Sequence, residues 1–351
     1  MSGLIPWFRL EAIPIPLPEH LELFGFRASF PQDWSIQPFG LLVATGVMLG
    51  ASLAERRAKA VGVHPNAVAS CVAHVLIGGF VIGHVFDALA YHPDVVREDP
   101  LFLLKVWDGL SSFGGFLGAV LGLMLYLQRF GADARVVGDP IAWAFPLGWM
   151  FGRTGCFVVH DHPGAPTDFF LGVRDYQVGP PPYVTRHDMG LYEILWSAAV
   201  MGLFVYLAKT PRKRGFYLGL LPILYAPIRF GLDFLRATDL EYGDARYFGL
   251  TPGHYSAIVL LAAGVLFLRW VQSSPEPEVP ESIRYVPEDE ERARAEAARK
   301  VEAVELADEA AKSAPSAEAE GDAPLPEVAT GEAKPAETKS SDARPKGKKK
   351  R

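Results

Sequence analysis

Cysteine is almost absent from the chain. Of 351 residues only Cys71 and Cys156 are cysteines, both in apolar stretches, and no Cys-x-x-Cys pair occurs. Two cysteines placed in this way do not make a disulfide framework, so other interactions must hold the fold. A basic, unbroken N-terminal leader is also absent, because four prolines interrupt the first 20 residues. We therefore expect no cleavable signal peptide.

Charge is sparse in most of the chain. Charged residues make up 21% of the sequence and hydrophobic residues 50%, and the acidic residues are concentrated after Ser273. The part before Ser273 is apolar, aromatic and rich in glycine, with several runs long enough to cross a hydrocarbon layer of about 30 Å. The net charge of −6 therefore belongs mainly to the C-terminal part and says little about a substrate.

Seven apolar segments predict an all-α, polytopic membrane protein with about seven transmembrane helices. The chain then divides into an interfacial N-terminal segment (1–35), a membrane domain (36–272) and a disordered, charged tail (273–351). The predicted spans are 39–53, 66–91, 113–127, 141–159, 191–207, 216–235 and 255–270.

Lysine and arginine in the short loops predict the orientation. Cytoplasmic loops of membrane proteins carry an excess of these residues. The loops after the first, third and fifth spans are the basic ones, whereas the opposite loops are longer and sparser in positive charge. The N-terminus is therefore predicted to lie outside and the C-terminus in the cytoplasm. The basic loops contain Arg56, Arg57, Lys59, Arg129, Arg135, Lys209, Arg212, Lys213 and Arg214.

The segment after residue 273 has the composition of a solvated tail. It is poor in hydrophobic residues and rich in Ala, Glu, Pro and Lys, so it cannot bury a core. Residues 288–312 favour a helix, and a basic cluster at 344–351 either binds anionic lipid or stays in solvent. We expect loss of 275–351 to leave activity nearly intact.

One arginine lies inside an apolar run, in the stretch 148–164 (GWMFGRTGCFVVHDHPG). An arginine at the centre of a membrane helix costs about 2.5–3.5 kcal/mol on insertion scales. Arg153 therefore needs either an anionic ligand or an acidic partner in the helix bundle, such as Asp233.

The same stretch ends in His160, Asp161, His162, Pro163 and Gly164, at the predicted outer end of the fourth span. A His-Asp-His run followed by Pro-Gly is typical of a shaped loop at a water interface. Two histidines also suggest a metal site. Adjacent residues rarely all point at one ion, however, so we expect no metal there.

The sixth span carries polar residues on one face. Spacings of four, four and three residues place them on the same side of a helix; they are Tyr225, Arg229, Asp233 and Arg236. One interpretation is a structural pair between Arg229 and Asp233. We favour another, in which Arg229 and Arg153 line one cavity. Two guanidinium groups repel each other unless an anion such as phosphate joins them.

Small residues dominate the start of the third span. At a spacing of four they allow a neighbouring helix to approach closely, and packing alone explains Gly118 and Gly122. The pair Gly114 and Gly115 stands at a predicted helix start, where backbone N–H groups also bind anions. The sequence is therefore consistent with either helix packing or anion binding at Gly114 and Gly115.

Together these pieces resemble the prolipoprotein diacylglyceryl transferase family, which comprises seven-span enzymes of the bacterial inner membrane. The resemblance covers about residues 35–272 and rests on DPLFLLKVWDGLSSFGGFLGA (99–119), GWMFGRTGCF (148–157) with Gly164, RHDMGLYE (186–193) and YAPIRFGLDFLRATD (225–239). Members move the diacylglyceryl group of phosphatidylglycerol onto the thiol of a lipobox cysteine in a prolipoprotein. The reaction makes a thioether and releases glycerol phosphate.

The resemblance implies roles for individual residues. Arg153 and Arg229 match the essential arginines, which would neutralise the charge that grows on the phosphate leaving group. The expected substrate-binding residues are Gly114, Gly115, Gly164, Tyr225, Asp233 and Arg236. The implied partners are phosphatidylglycerol, prolipoprotein signal peptides with a lipobox cysteine, and membrane lipids, with no cofactor and no nucleic acid.

The chain also departs from the family pattern. Phe113 replaces a histidine before the Gly-Gly pair, and Cys156 replaces an asparagine after Arg-x-Gly. The other departures are Val159 for asparagine, Asp161 for glutamate, Phe39 for tyrosine and His84 for arginine. Because the loss at 113 coincides with histidines beside Arg153, we hypothesise that His160 or His162, oriented by the acid between them, takes the proton of the acceptor thiol.

Two alternatives to this enzyme are kept. One is a divergent paralogue with altered or lost transferase activity, and the other is a lipid or anion transporter whose arginines hold a passing phosphate. Transporters often contain repeated halves, and no repeat is visible in this sequence. The sequence therefore favours the transferase.

Overall fold

The computed structural model describes residues 3–16, 20–23, 26–29, 35–105, 109–240 and 246–313. The chain forms two compact units, Met1–Glu288 and Asp289–Arg351. The interfacial segment predicted for residues 1–35 is therefore described only in part. The basic cluster predicted at 344–351 lies outside the described residues.

All seven predicted spans are helical in the first unit. The short helix α3 and a 3₁₀ turn, Pro100–Leu104, connect α2 to α4. The helices are α1 (Pro38–Ala60), α2 (Pro65–Tyr91), α3 (Pro93–Glu98), α4 (Ser112–Phe130), α5 (Ala134–Val159), α6 (Met189–Leu207), α7 (Phe216–Phe234) and α8 (Pro252–Ser273).

Within the described residues, four of these helices, α1, α2, α6 and α8, are long and apolar enough to cross a membrane. α4 adds a shorter apolar stretch, Gly114–Phe130. α5 and α7 are absent from the set of four, and both carry charge in their apolar runs: Arg153 in α5, and Arg229 with Asp233 in α7. The chain is therefore a mostly helical, polytopic membrane protein.

Helix α5 lies at the centre of the bundle, because it packs against α1, α2, α6 and α7. It begins at a side-chain cap, where Asp133 accepts a hydrogen bond from the Arg135 amide at 2.7 Å. Gly46 of α1 and Gly148 of α5 let these helices touch through their backbones. A Cβ atom on Gly46 would lie 2.6 Å from the Gly148 carbonyl oxygen, so a larger residue would force the helices apart.

Helices α2 and α4 also meet through glycines. A Cβ atom on Gly118 would lie 2.1 Å from the carbonyl oxygen of Gly78, and one on Gly122 would lie 2.1 Å from that of His74. The packing role predicted for Gly118 and Gly122 therefore agrees with the structure.

A four-stranded sheet covers the end of the bundle where α5 ends and α6 begins, which we call the site end. The sheet has the order β1-β7-β8-β6; β1 runs parallel to β7, and the other pairs are antiparallel. The two edge strands hold prolines, which lack the N–H group that a central strand needs. The strands are β1 (Ile5–Pro6), β6 (Pro163–Pro166), β7 (Val173–Tyr176) and β8 (Val184–Asp188).

The prediction of an all-α chain is therefore wrong in this respect. The strands of the sheet are short, and β1 is far from the others in sequence, so no alternating pattern signals them. Two small antiparallel pairs precede α1: β2 (Ile13–Pro14) with β5 (Ser35–Ile36), and β3 (His20–Leu23) with β4 (Phe26–Ser29).

The folded body also extends beyond the predicted boundary at residue 272. Val279 and Ile283 are buried in the main apolar cluster, beside Val63 and Val68. The backbone joins this packing, because the His64 amide donates to the Ile283 carbonyl at 2.7 Å. The expectation of a disordered tail from 273 onwards is thus corrected, and residues 274–285 belong to the body.

The second unit contains one described helix, α9 (Glu288–Ser313). Its bounds agree with the helix predicted over 288–312. Its sequence is rich in charged residues, and the side chains that the structure describes between 288 and 306 are exposed. Helices of this kind are stabilised by local side-chain pairs. One such pair joins Lys300 to Glu296 at 2.8 Å, four residues apart.

Candidate active site

Arg153 lies in the last two turns of α5, at the site end. Its Nε is 2.8 Å from Oε2 of Glu193 on α6, and its guanidinium stacks 4.5 Å above the ring of Trp149. Nη1 also donates to Cys156 Sγ at 3.6 Å. The arginine thus has an acidic partner in the bundle, and that partner is Glu193 rather than the Asp233 considered from the sequence.

Glu193 joins the two arginines that the sequence singled out. Its Oε2 accepts hydrogen bonds from Trp149 Nε1 at 2.9 Å and from the Tyr225 hydroxyl at 3.3 Å. Its Oε1 lies 3.9 Å from Nη1 of Arg229 on α7. Because Glu193 is fully buried, its charge acts on both guanidinium groups with little screening by water.

From the sequence, Glu193 appeared only as the last residue of the family-like segment 186–193 and was given no role. The sequence nevertheless indicated a functional role for Glu193, because an acidic residue inside an apolar helix is costly and marks a functional site by default. The fold was needed to show that it meets Arg153 and Arg229.

The polar face predicted on the sixth span is present on α7. Arg229 Nη2 is 3.0 Å from Asp233 Oδ1, and Arg236 Nη1 is 3.9 Å from the same oxygen. The other oxygen of Asp233 accepts a hydrogen bond from the Thr251 hydroxyl and lies 3.3 Å from His254 Nδ1. Asp233 is therefore held from α7 and α8 together.

The formal charge of this cluster favours an anion. Three arginines, Arg153, Arg229 and Arg236, face two carboxylates, Glu193 and Asp233, which leaves a formal charge of +1. A net positive charge in a low-dielectric, partly dehydrated setting attracts anionic groups such as phosphate.

Arg153 and Arg229 border two different cavities, and not the single shared cavity that we favoured from the sequence. The larger, of about 630 Å³, lies between α1, α2 and α5 and has mostly apolar walls with polar residues at one end. The smaller, of about 410 Å³, lies between α7 and α8. Polar residues that line the larger are Arg153, Cys156, Asp161 and His162, and those that line the smaller include Tyr225, Arg229, Asp233 and Arg236.

His160 anchors the loop that follows α5. It has a left-handed backbone with φ of 53°, which ends the helix and turns the chain. Its Nδ1 is 2.8 Å from Asp188 Oδ2 and its Nε2 is 2.7 Å from the Phe8 carbonyl, while Trp7 stacks on the ring at 4.1 Å. Both ring nitrogens are engaged, so the geometry favours a positioning role for His160 over proton transfer.

Asp161 and His162 return toward α5 after this turn. Their side chains hydrogen-bond to each other and line the larger cavity. One ligand atom from each, together with Cys156 Sγ, forms a group in which all atoms lie within 4.8 Å of one another. The structure therefore separates the two histidines that the sequence treated as equivalent.

Gly164 lies in a tight packing site. A Cβ atom there would lie 2.5 Å from His187 Cβ and 2.8 Å from the Leu235 carbonyl oxygen. The Gly164 carbonyl accepts a hydrogen bond from Arg186 at 3.0 Å, and Arg186 also pairs with Asp239, which holds the pKa of that carboxyl below its ordinary value. The structure gives Gly164 a packing role, and it lines neither cavity.

Gly114 and Gly115 likewise belong to helix packing. The Gly114 amide donates to the Ser111 hydroxyl at 3.4 Å, and the Gly115 amide donates to the Ser111 carbonyl at 2.8 Å. A Cβ atom on Gly114 would lie 2.4 Å from Phe86 Cβ. These N–H groups already have partners and neither glycine lines either cavity, so the geometry favours helix packing over anion binding for this pair.

The fold and the site together define a polytopic membrane protein with an arginine–carboxylate cluster open to two cavities. Residues 28–270 match the model of the prolipoprotein diacylglyceryl transferase family. The chain belongs to this family of transferases, as the motifs around Arg153 and Arg229 predicted.

Individual relatives agree with the family assignment. A phosphatidylglycerol–prolipoprotein diacylglyceryl transferase of Chromohalobacter salexigens is 31% identical over 239 residues, which cover 68% of this chain and 88% of the relative. The protein of the same name in Vibrio parahaemolyticus is 31% identical, covering 67% of this chain and 86% of the relative. That of Phenylobacterium zucineum is 34% identical, covering 56% and 70%.

Proposed function

We propose that this protein transfers the diacylglyceryl group of phosphatidylglycerol to the lipobox cysteine thiol of prolipoproteins. The reaction forms a thioether, releases glycerol phosphate and is the first step of lipoprotein maturation. The observation that carries the proposal is the pair Arg153 and Arg229, joined through Glu193 and facing one cavity each.

The two arginines hold the phosphate. The phosphodiester of phosphatidylglycerol carries one negative charge, and a second develops on the leaving group as the glyceryl C–O bond breaks. Guanidinium groups placed where this charge grows stabilise the transition state more than the bound substrate. The formal charge of +1 at the cluster suits the first charge, and the arginine donors suit the second.

The larger cavity suits the acyl chains. Small and apolar side chains of α1, α2 and α5 line it, among them Val43, Val47, Val72 and Leu76. An acyl chain placed there keeps its methylene groups out of water, which contributes about 0.8 kcal/mol for each. Its polar end at Arg153 would then place the glyceryl carbon beside the phosphate site.

The acceptor thiol meets this carbon at the polar end of the same cavity. A thiol has a pKa of about 8.5, so a group that removes its proton increases the reactive thiolate at neutral pH. His162, hydrogen-bonded to Asp161, is the candidate for this step. His160 supports it by holding the turn between α5 and the loop.

Membrane placement follows the same proposal. All seven long helices cross the bacterial inner membrane, with the site end outside, where prolipoproteins are presented, and the basic loops in the cytoplasm. Such an enzyme needs phosphatidylglycerol from the surrounding lipid and a signal peptide as acceptor. It needs no nucleic acid.

Complementation tests the function directly. The chain is expressed in a bacterium depleted of its own transferase, and the mass of a reporter lipoprotein is measured. A gain of one diacylglyceryl group supports the proposal. A different gain in mass would point to a paralogue with another substrate, and no gain would point to an inactive paralogue or a transporter. An Arg153→Ala chain at equal membrane level is the negative control.

A further inference from the structure

Three metal-binding side chains meet at the polar end of the larger cavity. One ligand atom each from Cys156, Asp161 and His162 lies within 4.8 Å of the other two. Around a tetrahedral zinc ion, with bonds of about 2.0–2.3 Å, such atoms lie about 3.3–3.7 Å apart. Small rotations of these side chains are therefore enough to bring them to one ion.

The fold brings them together although they are not evenly spaced in sequence. Cys156 points from the last turn of α5, and the left-handed residue His160 then reverses the chain. The reversal is held at both ring nitrogens of His160, by Asp188 and by the Phe8 carbonyl. From the sequence we considered a metal at His160 and His162 and expected none; the structure instead places His162 in one group with Asp161 and Cys156.

The chemistry of the set suits Zn²⁺. Thiolate, imidazole and carboxylate are its usual ligands, and sites with three protein ligands keep a fourth position for water or substrate. One thiolate and one carboxylate cancel the charge of the ion, which lowers the cost of placing it at the edge of the hydrocarbon. Arg153 Nη1, 3.6 Å from Cys156 Sγ, would donate to the metal-bound thiolate.

We propose that Cys156, Asp161 and His162 bind one Zn²⁺ ion whose fourth position faces the larger cavity. If the proposed function holds, on which this step rests, the acceptor cysteine occupies that position. Zinc deprotonates a coordinated thiol, so the S–H proton passes to water at the cavity mouth. The sulfur then attacks the glyceryl carbon; the S–C bond forms, and the C–O electron pair leaves with glycerol phosphate. His162 serves in this scheme as a ligand instead of a free base.

Metal content is measured on the full-length protein, purified in detergent through an affinity tag without histidines. The protein is stripped with a chelator and reloaded with Zn²⁺ or Co²⁺. We expect one zinc per chain by elemental analysis, and a sulfur-to-cobalt charge-transfer band in the near ultraviolet. Cys156→Ser should remove the band, and His162→Ala should weaken zinc affinity at least about 100-fold, more than loss of an outer-shell partner does.

The chain offers a matched control in its other cysteine. Cys71 is fully buried in the apolar cluster and does not line the larger cavity. Cys71→Ala should keep the band and the zinc content of the unaltered chain. Zinc content that stays at one per chain in Cys156→Ser, or a stripped protein that takes up no metal, would overturn the site.

Transfer to a lipobox peptide separates this inference from the proposed function. Loss of transfer on stripping, with recovery on zinc, supports both. Transfer that is unaffected by stripping overturns the zinc step and leaves the transferase intact. Stoichiometric zinc in a chain that fails complementation supports the metal site while the proposed function fails.

Discussion

Helix α5 carries two arginines that have similar neighbours at its two ends. Arg135 pairs with Asp133 at 2.7 Å and stacks 4.4 Å above Trp270; Arg153 pairs with Glu193 at 2.8 Å and stacks 4.5 Å above Trp149. Arg135 also donates to the Pro275 carbonyl at 3.1 Å. The two arginines therefore cannot be distinguished by residue type or by the kind of side chain that each contacts, since both pair with a carboxylate and stack on a tryptophan.

The surroundings of the partner acids distinguish them. Asp133 lies only two residues before the arginine it binds, and the pair lines neither of the two cavities. Glu193 is shared with a second arginine, Arg229, and the group borders both cavities. The pair of Asp133 with Arg135 therefore supports the fold. Glu193 is shared by two arginines that border cavities, so some of their N–H donors stay available for a ligand.

The largest expected effect is on transfer activity at Arg153. Arg153→Ala should reduce transfer about 100- to 1,000-fold, the usual range for removal of one donor to a developing anion, measured as lipobox-peptide modification in purified membranes. Arg135→Ala should change activity only a few-fold but lower the unfolding temperature. Equal losses of activity in Arg135→Ala and Arg153→Ala would contradict the different roles assigned to the two ends of α5.

Arg229→Ala should match the loss seen for Arg153→Ala. Because both side chains act on one phosphate, the double variant should lose less than the product of the single losses. Full additivity in rate assays on the two single variants and the double variant would mean that the arginines serve separate steps.

Glu193→Gln should have a smaller effect, roughly 10- to 100-fold on turnover. The amide keeps the shape and can still accept from Trp149 and Tyr225, but it no longer neutralises the two guanidinium groups. We expect the apparent affinity for phosphatidylglycerol to change less than turnover. Wild-type turnover in this variant would contradict a role for Glu193 in the reaction.

Truncation tests the opposite end of the bundle. Deletion of 289–351 removes only the second unit and should leave activity and unfolding temperature nearly unchanged. Deletion of 275–351 also removes the buried Val279 and Ile283, which should cost about 3 kcal/mol or more of stability. Thermal unfolding in detergent compares the two. If the two truncated chains were equally stable, the folded domain would end near residue 272, as composition predicted.

The smallest expected effect is a pH dependence at Asp133. Burial alone would raise the pKa of this carboxyl, but hydrogen bonds from Arg135 hold it below its ordinary value. Stability from the pair is therefore present above the unfolded pKa of about 3.9 and is lost as the pH falls through the lower, folded pKa. Asp133→Asn should flatten unfolding temperature against pH below about pH 4. An unchanged profile would contradict this.

The sequence by itself determined the helices and the arginines. Long apolar runs have few alternatives in a bilayer, so five of the seven segments were found within three residues of their helical bounds; α1 ends seven residues later than predicted, and α5 begins seven residues earlier. Charged residues inside such runs stand out because they are costly, and helical spacing placed Arg229 and Asp233 on one face.

Tertiary structure decided which partners these residues meet. Contacts such as those of Glu193 with two arginines, or of Val279 with the core, join segments far apart in sequence, and no local pattern records them. The turn at His160 shows the same limit at short range: it sends one histidine into the sheet and the other toward Cys156, depending on residues as distant as Phe8. The cost of burying charged side chains made the site visible in the sequence. Only the packing of the helices determined which of these side chains contact each other.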